Sequence, residues 1–229
     1  MDYLMQIVEK YPTVRTIILW TDGCTYQNRN SMLASAIANF CAKHEVTVYQ
    51  KYLEVGHTHM ECDSVHKNVE TAKKSAQGVG GINLPTDYIN LIRTARKTGG
   101  DYGVKYCDYT FFKDFTSSGI KSIKPSKEKG APYVVDIRQI KYTEAGSVMT
   151  NLTYDDISWK EIPFKVTINK NSNPKQTRDE PIPISSAKWT HLQEICNQSL
   201  SKDFHPYYNN LAHRAKPVSS KPKTGAKKQ

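Results

Sequence analysis

Apolar residues fall on one helical face at the start of the chain: Leu4 and Val8 stand four apart, Tyr11 continues the stripe, and Pro12 stops the helix. Val14 to Trp20 is β-branched and apolar almost throughout. That pattern predicts a strand covered on both faces, and therefore central in a sheet. Thr21-Asp22-Gly23 ends it. A helix then starts at Asn30 or Ser31 and runs to about His44, with Leu33, Ile37, Phe40 and Cys41 turned inward. Val46 to Leu53 alternates Val46, Val48 and Tyr52 with polar neighbours and reads as a second strand. The polar turn Glu54 to Thr58 leads into a helix from about Met60 to Ala76, ended by Gly78, Gly80 and Gly81. One more helix covers Pro85 to Thr98, with Tyr88, Leu91, Ile92 and Ala95 on its stripe.

After Gly99-Gly100 the period changes from helical to alternating. Short strands are expected over Tyr106 to Phe112, Val134 to Tyr142, Val148 to Tyr154 and Ile162 to Ile168, with Glu144-Ala145-Gly146-Ser147 as a hairpin loop. Asn171 to Pro183 is a polar, proline-bearing linker. Ser186 to about Leu200 is a last helix, with Trp189, Leu192, Ile195 and Cys196 on one side. Arg214 to Gln229 holds six basic residues and no acid, a composition that predicts disorder. The expected organisation is thus an α/β core over residues 1–100, a β-rich extension over 101–170, a linker and helix over 171–213, and a basic tail over 214–229.

Charge changes this picture more than composition does. The net charge is +10. Residues 1–99 hold 11 basic and 9 acidic residues, whereas residues 100–229 hold 21 and 13. The later part of the chain therefore faces polyanions, and a phosphate backbone attracts such charge without sequence being read. The plainer alternative is that a basic balance only maintains solubility. The five cysteines are widely spaced and form no Cys-x-x-Cys pair, so neither a zinc knuckle nor a disulfide framework is indicated and reduced thiols are expected. No stretch approaches the roughly 20 apolar residues of a membrane helix, and Met1-Asp2-Tyr3 opens no secretory signal. A soluble, nuclear or cytoplasmic protein is expected.

Candidate chemistry collects after the first two strands. Functional groups of open α/β sheets sit at the carboxyl ends of the strands. Asp22 follows the first directly; Gly56-His57-Thr58-His59-Met60-Glu61-Cys62-Asp63-Ser64-Val65-His66 follows the second. A strand–helix–strand crossover makes these strands parallel neighbours and brings both sets to one edge. Asp63, His66 and Glu70 share a helical face, and His59 lies a turn earlier. Asp22, His57, His59, Asp63 and His66 form a candidate metal-ligand set. Its oxygens favour Mg²⁺ or Mn²⁺, while its histidines pull toward Mn²⁺ or, less strongly, Zn²⁺. Such ions can hold the attacking and leaving oxygens of a phosphodiester, with Asp22, Glu61 and Asp63 as the catalytic carboxylates. Gln27 and Asn28, in an amide-rich loop, are candidate substrate-binding residues. Each residue also has a plain reading: Asp22 as a turn residue before Gly23, Glu61 and Asp63 as first-turn acids, and Asn28 or Asn30 as a helix cap.

Trp20-Thr21-Asp22-Gly23-Cys24 with Gln27-Asn28-Arg29-Asn30, followed by Gly56 to His66, resembles an uncharacterised domain family of transposon-related and orphan reading frames in animals. That family is distantly similar to the ribonuclease H-like, acidic-triad transposases and integrases. The resemblance covers roughly residues 1–115, and the segment Ser186 to Leu211, with His205-Pro206-Tyr207-Tyr208, looks like the family's tail. It implies a partial ribonuclease H-like strand–helix–strand–helix core, with Asp22 as the second catalytic carboxylate and Glu61 or Asp63 as the third. The superfamily's first carboxylate lies on an upstream strand meander that is not in this chain. The resemblance therefore implies an N-terminally truncated core, or later strands (101–170) that fill the sheet instead. Gly56-His57-Thr58-His59 also matches the last metal motif of calcineurin-like phosphoesterases, whose earlier motifs are absent. Two functions follow: a metal-dependent nucleic-acid-processing domain, and a non-catalytic nucleic-acid-binding remnant of a transposase. DNA is the expected partner ahead of RNA.

Overall fold

The computed structural model describes residues 1–54, 56, 59–77, 81–115, 119–168 and 174–215. It is a mixed α/β protein whose chain divides into two compact units, each built from two separate segments.

Unit one comprises Met1–Met60 and Phe112–Thr177. Its sheet has the order β1-β2-β3-β4-β5, with β1 (Thr16–Thr21), β2 (Thr47–Tyr52), β3 (Gln139–Tyr142), β4 (Val148–Asn151) and β5 (Lys160–Glu161). Strands β1 and β2 are parallel, joined across helix α2 (Ser31–His44); the remaining pairs are antiparallel. The later strands thus do complete the sheet begun by β1 and β2. One face packs inward: Ile17, Val48, Tyr52, Ile140, Tyr142 and Val148 join Ala34, Ile37, Phe40 and Cys41 of α2 and Leu4 of α1 (Asp2–Lys10) in a single core. Each such aliphatic or aromatic side chain contributes about 1.5–3 kcal/mol by leaving water. Helix α2 begins as its sequence predicts: the Asn30 side chain accepts from the Leu33 N–H at 2.8 Å.

Strand β1 departs from expectation. It is an edge strand, and its solvent-side residues Ile18 and Trp20 are 53% and 51% exposed. A continuous apolar run is here a strand with one buried face, whose outer residues keep about half of their surface in solvent. Two other predicted strands are shortened or lost for identifiable reasons. The carbonyls of Val134, Val135 and Ile137 accept from the Arg29 guanidinium, so the backbone takes a short 3₁₀ turn over Val134–Asp136 and β3 starts only at Gln139. The predicted strand Ile162 to Ile168 does not form; Ile162 still donates to the Val148 carbonyl at 3.0 Å, but Pro163 has no N–H to continue the ladder.

Unit two comprises Glu61–Phe111 and Arg178–Gln229. Helix α3 (Glu61–Gln77) buries only Val69 among its described residues. Helix α4 (Pro85–Thr94) opens with Pro85 in its first turn and the Asp87 carboxylate on the Asn83 and Leu84 N–H groups at 3.1 and 2.9 Å. It stops four residues before the predicted end, where the Arg93 carbonyl accepts from the Tyr102 N–H at 2.9 Å. Helix α5 (Ser186–Ser199) is capped by Ser185, and α6 (His205–Asn209) follows. Trp189 stacks on His213 with ring centroids 4.3 Å apart. The strand expected over Tyr106 to Phe112 does not form. Asp108 Oδ1 accepts from the Thr110 N–H at 2.9 Å and the Thr110 hydroxyl at 2.6 Å, which bends the backbone into a turn.

Candidate functional site

The loop after β1 is organised around Asp22. Its Oδ1 accepts from the Cys24 N–H at 3.2 Å and from the Asn28 side-chain amide by a short contact. Asp22 thus works as the turn residue that its position before Gly23 predicts. Asn28 carries the connection inward: its carbonyl accepts from the Gln50 amide at 2.9 Å and the Tyr52 hydroxyl at 3.0 Å. The Tyr142 hydroxyl completes the chain by donating to Gln50 Oε1 at 3.0 Å. Every link is made by β2, β3 and the loop between β1 and α2. Burial pushes the Tyr52 and Tyr142 hydroxyls well above the ordinary tyrosine range, so both stay protonated as donors.

Arg29 anchors the same loop from its other end. It is 7% exposed, lies 4.0 Å from the centroid of the Tyr52 ring, and donates through one nitrogen to the carbonyls of Val134, Val135 and Ile137 at 2.9, 3.0 and 2.6 Å. Desolvation lowers its pKa. A Cβ on Gly23 would stand 3.3 Å from this guanidinium, close enough that the arginine would have to shift by a few tenths of an ångström. Sequence reading passed over Arg29, Gln50 and Tyr142. The available signal was Gln50, a polar residue in inward register between Val48 and Tyr52.

The structure describes the two halves of the predicted metal set each by itself. Asp22 belongs to unit one. Exposed His59 also falls within unit one, while Glu61, Asp63 and His66 are exposed on α3 of unit two. Glu70, on their face, pairs with Lys73 at 3.3 Å. His57 lies outside the described residues. Among the described residues, no three His, Cys, Asp or Glu side chains come together to hold a metal ion. Gln27 is exposed in the loop, while Asn28 is half-buried and engaged as above.

A concavity lies elsewhere in unit one. Lys124, Lys127 and Lys129, with Glu128, Tyr133 and Phe164, line a cleft of about 350 Å³. The Lys127 ammonium sits 5.2 Å from the centroid of the Phe164 ring. Ser126 holds the turn by accepting from the Glu128 N–H at 3.1 Å, and Gly130 adopts a positive φ of 81°. Three ammonium groups beside two aromatic rings suit a ligand that carries phosphate and a flat ring. The lysine run from 121 to 129 is the sequence signal for this cleft, although by itself it did not mark a cavity. No protein family, no curated protein and no solved structure matches the chain.

Proposed function

We propose that this chain is a nucleic-acid-binding domain of transposon origin, distantly related to the ribonuclease H-like transposases, that holds the phosphate backbone without cleaving it. The observation that carries the reading is the cleft of Lys124, Lys127 and Lys129 beside Tyr133 and Phe164. It supplies fixed positive charge on a chain whose net charge is +10. The Asp22 loop supports the non-catalytic side of the reading, because Oδ1 is committed to the turn that joins β1 to α2. The test is binding of the full chain to labelled 20-mers by fluorescence anisotropy across a salt series. Affinity should fall steeply with salt, and Lys124→Glu with Lys127→Glu should flatten the dependence by roughly one contact per lysine. Binding that is absent at low salt, or indifferent to both lysines, refutes the reading.

A second reading, divalent-metal nuclease chemistry centred on Asp22 of unit one, is favoured by one detail. The Thr21 hydroxyl is buried without a partner beside Asp22. This reading requires Mg²⁺- or Mn²⁺-dependent cleavage that Asp22→Asn abolishes while folding is kept. No cleavage with either ion removes it.

A further inference from the structure

The face of the unit-one sheet opposite the core carries aromatic and basic residues as neighbours. Along β2 the outward residues are Tyr49 and Lys51. In the β1–β2 register Ile18 stands opposite Tyr49 and Trp20 opposite Lys51; in the β2–β3 register Lys141 stands opposite Tyr49. Aromatic and cation therefore neighbour one another along β2 at Tyr49 and Lys51, and across it at Trp20 with Lys51 and Tyr49 with Lys141. The Lys51 ammonium lies 5.6 Å from the Trp20 ring centroid, and that of Lys141 lies 5.4 Å from the Tyr49 ring. Two further rings arrive from the segment after β4. Tyr154 sits 6.2 Å from Trp20, and Trp159 meets Tyr49 edge-on at 5.8 Å. That segment is fastened over the far side of the face, where the Gln139 amide donates to the carbonyls of Thr153 and Asp155 at 3.0 and 2.9 Å.

We infer that this face is a stacking platform for single-stranded nucleic acid, with Trp20 and Tyr49 receiving successive bases and Lys51 and Lys141 receiving the phosphates between them. The inference rests on the nucleic-acid reading above and adds a surface and a strand state to it. Three arguments carry it. Trp20 remains 51% exposed, and Ile18 beside it 53%. Strands lie about 4.8 Å apart and rise about 3.3 Å per residue. The two platforms, one strand and two residues apart, are thus separated by about 8 Å, a spacing suited to neighbouring nucleotides of one extended strand. The lysines are held only by exchangeable contacts: an exposed cation–π pair is worth about 0.5–1 kcal/mol, whereas a base stacked on an aromatic ring is worth about 1–3 kcal/mol. An arriving base therefore displaces the ammonium toward the phosphate it needs to meet. A protein partner fits less well, because the buried centres of protein interfaces are depleted in charge and here each ring has a lysine beside it. Acids near this side include Glu54, which acts on Tyr154 and pairs with Arg138 at 3.5 Å, Glu161, opposite Met149 near the other edge, and Asp155 and Asp156 in the covering segment. The Asp155 carboxylate accepts from the N–H groups of Ile157 and Ser158 and from the Thr153 hydroxyl, so it is turned into its own loop. Duplex bases stack on one another and leave no ring free for the platform, so single strands are the fitting class.

The test uses the full chain with fluorescein-labelled 12-nucleotide oligothymidylate, oligouridylate and a 12-base-pair duplex. Single strands should bind more tightly than duplex and quench tryptophan emission. Trp20→Ala and Tyr49→Ala should each weaken single-strand binding about 5- to 150-fold, the equivalent of one lost stack, and Trp20→Phe should recover most of it. Lys51→Glu should reduce the salt slope by about 0.7. Trp20 is an exposed edge residue, so its variant keeps the fold; if Tyr49→Ala does not, Trp20→Ala and Lys51→Glu decide the matter. Unchanged single-strand affinity in Trp20→Ala, with binding lost in the Lys124→Glu, Lys127→Glu variant, overturns the platform and leaves the nucleic-acid reading standing. Absence of binding to all three probes by the unaltered chain at low salt overturns both. A doubling of mass in light scattering that Trp20→Ala abolishes, with strand binding intact, assigns the face to a second copy and overturns the platform.

Discussion

Replacing Arg29 by methionine tests the account of the loop after β1 most directly. The side chain volume is nearly kept, while the guanidinium is removed from three carbonyls at 2.6–3.0 Å and from the Tyr52 ring at 4.0 Å. A hydrogen bond to a charged group contributes about 1.5–3 kcal/mol, and a buried carbonyl left without a donor costs about 1–3 kcal/mol. One nitrogen serves all three acceptors, so two full bonds are lost rather than three. A desolvated cation–π contact adds about 2 kcal/mol. Release of a buried charge returns several kcal/mol, the same desolvation that lowers the Arg29 pKa. The carbonyls of Val134, Val135 and Ile137 are main chain and cannot be replaced along with the arginine, so the balance stays unfavourable: a net loss of about 2–4 kcal/mol, among the larger single-site effects. With a urea slope of about 1–3 kcal/mol/M, the midpoint should fall by about 1–2 M. The measurement is tryptophan fluorescence in a Trp189→Phe background, which leaves Trp20 and Trp159, both of unit one, as reporters. Arg29→Lys should fall between the two, because an ammonium serves fewer carbonyls and presents no plane to Tyr52. A midpoint for Arg29→Met equal to or above that of the parent would show that these contacts do not hold the loop.

The remaining predictions concern thiols, glycines and a cap. Burial pushes the Cys41 thiol up to about 12 from its model-compound value of 9.0, while Cys62 is exposed; Cys62 should therefore react first with a disulfide reagent at neutral pH, and Cys41 only on unfolding. The same shift fixes the sign of an alkaline effect. Below pH 9 the thiol is protonated in both states and its contribution is intact; between pH 9 and about 12 only the unfolded chain ionises, so stability falls by up to about 1.4 kcal/mol per pH unit, and Cys41→Ala should reduce that slope in urea titrations. Gly119→Ala should destabilise by more than about 2 kcal/mol, because φ is +84° and the new Cβ would lie 2.6 Å from the Thr167 carbonyl oxygen, whereas Gly103→Ala meets no atom within 4 Å and should shift the melting midpoint little. Asn30→Ala removes the acceptor of the Leu33 N–H and should cost about 1 kcal/mol in the same melts.

Elements whose sequence period and end signals agree were legible. Asn30 and Ser31 mark the start of α2, and the alternation of Val48 and Tyr52 gives the inward face of β2. Glu144-Ala145-Gly146-Ser147 joins β3 to β4 as its composition suggests, with Gly146 at a φ of 92°. The misreadings arise where a short apolar run reports burial poorly, because a distant residue or a single local polar contact decides what the backbone does. Ile18 and Trp20 read as a second buried face because the sequence does not reveal that β1 lies at an edge. Val134 and Val135 are β-branched, yet Arg29, 105 residues before Val134, takes their carbonyls. Tyr106 to Phe112 is aromatic, but Asp108 bends it through a hydrogen bond too local to be seen in a hydropathy pattern. At the candidate site, Asp22 was found as a polar strand end, whereas its support by Asn28, Gln50 and Tyr142 depends on pairing β2 with β3.

That pairing joins residues 92 positions apart, as between Tyr142 and Gln50, and it makes the order of synthesis matter. When β1, α2 and β2 have left the ribosome, one rim of β2 still has no partner, and the strand that will cover it lies about 5 to 20 s of elongation ahead at typical translation rates. During that interval an open ladder edge and the bare sides of Val48 and Tyr52 invite association with other chains. A piece ending near residue 100 is therefore expected to aggregate rather than fold, and the nascent chain is expected to need shielding until β3 and β4 arrive.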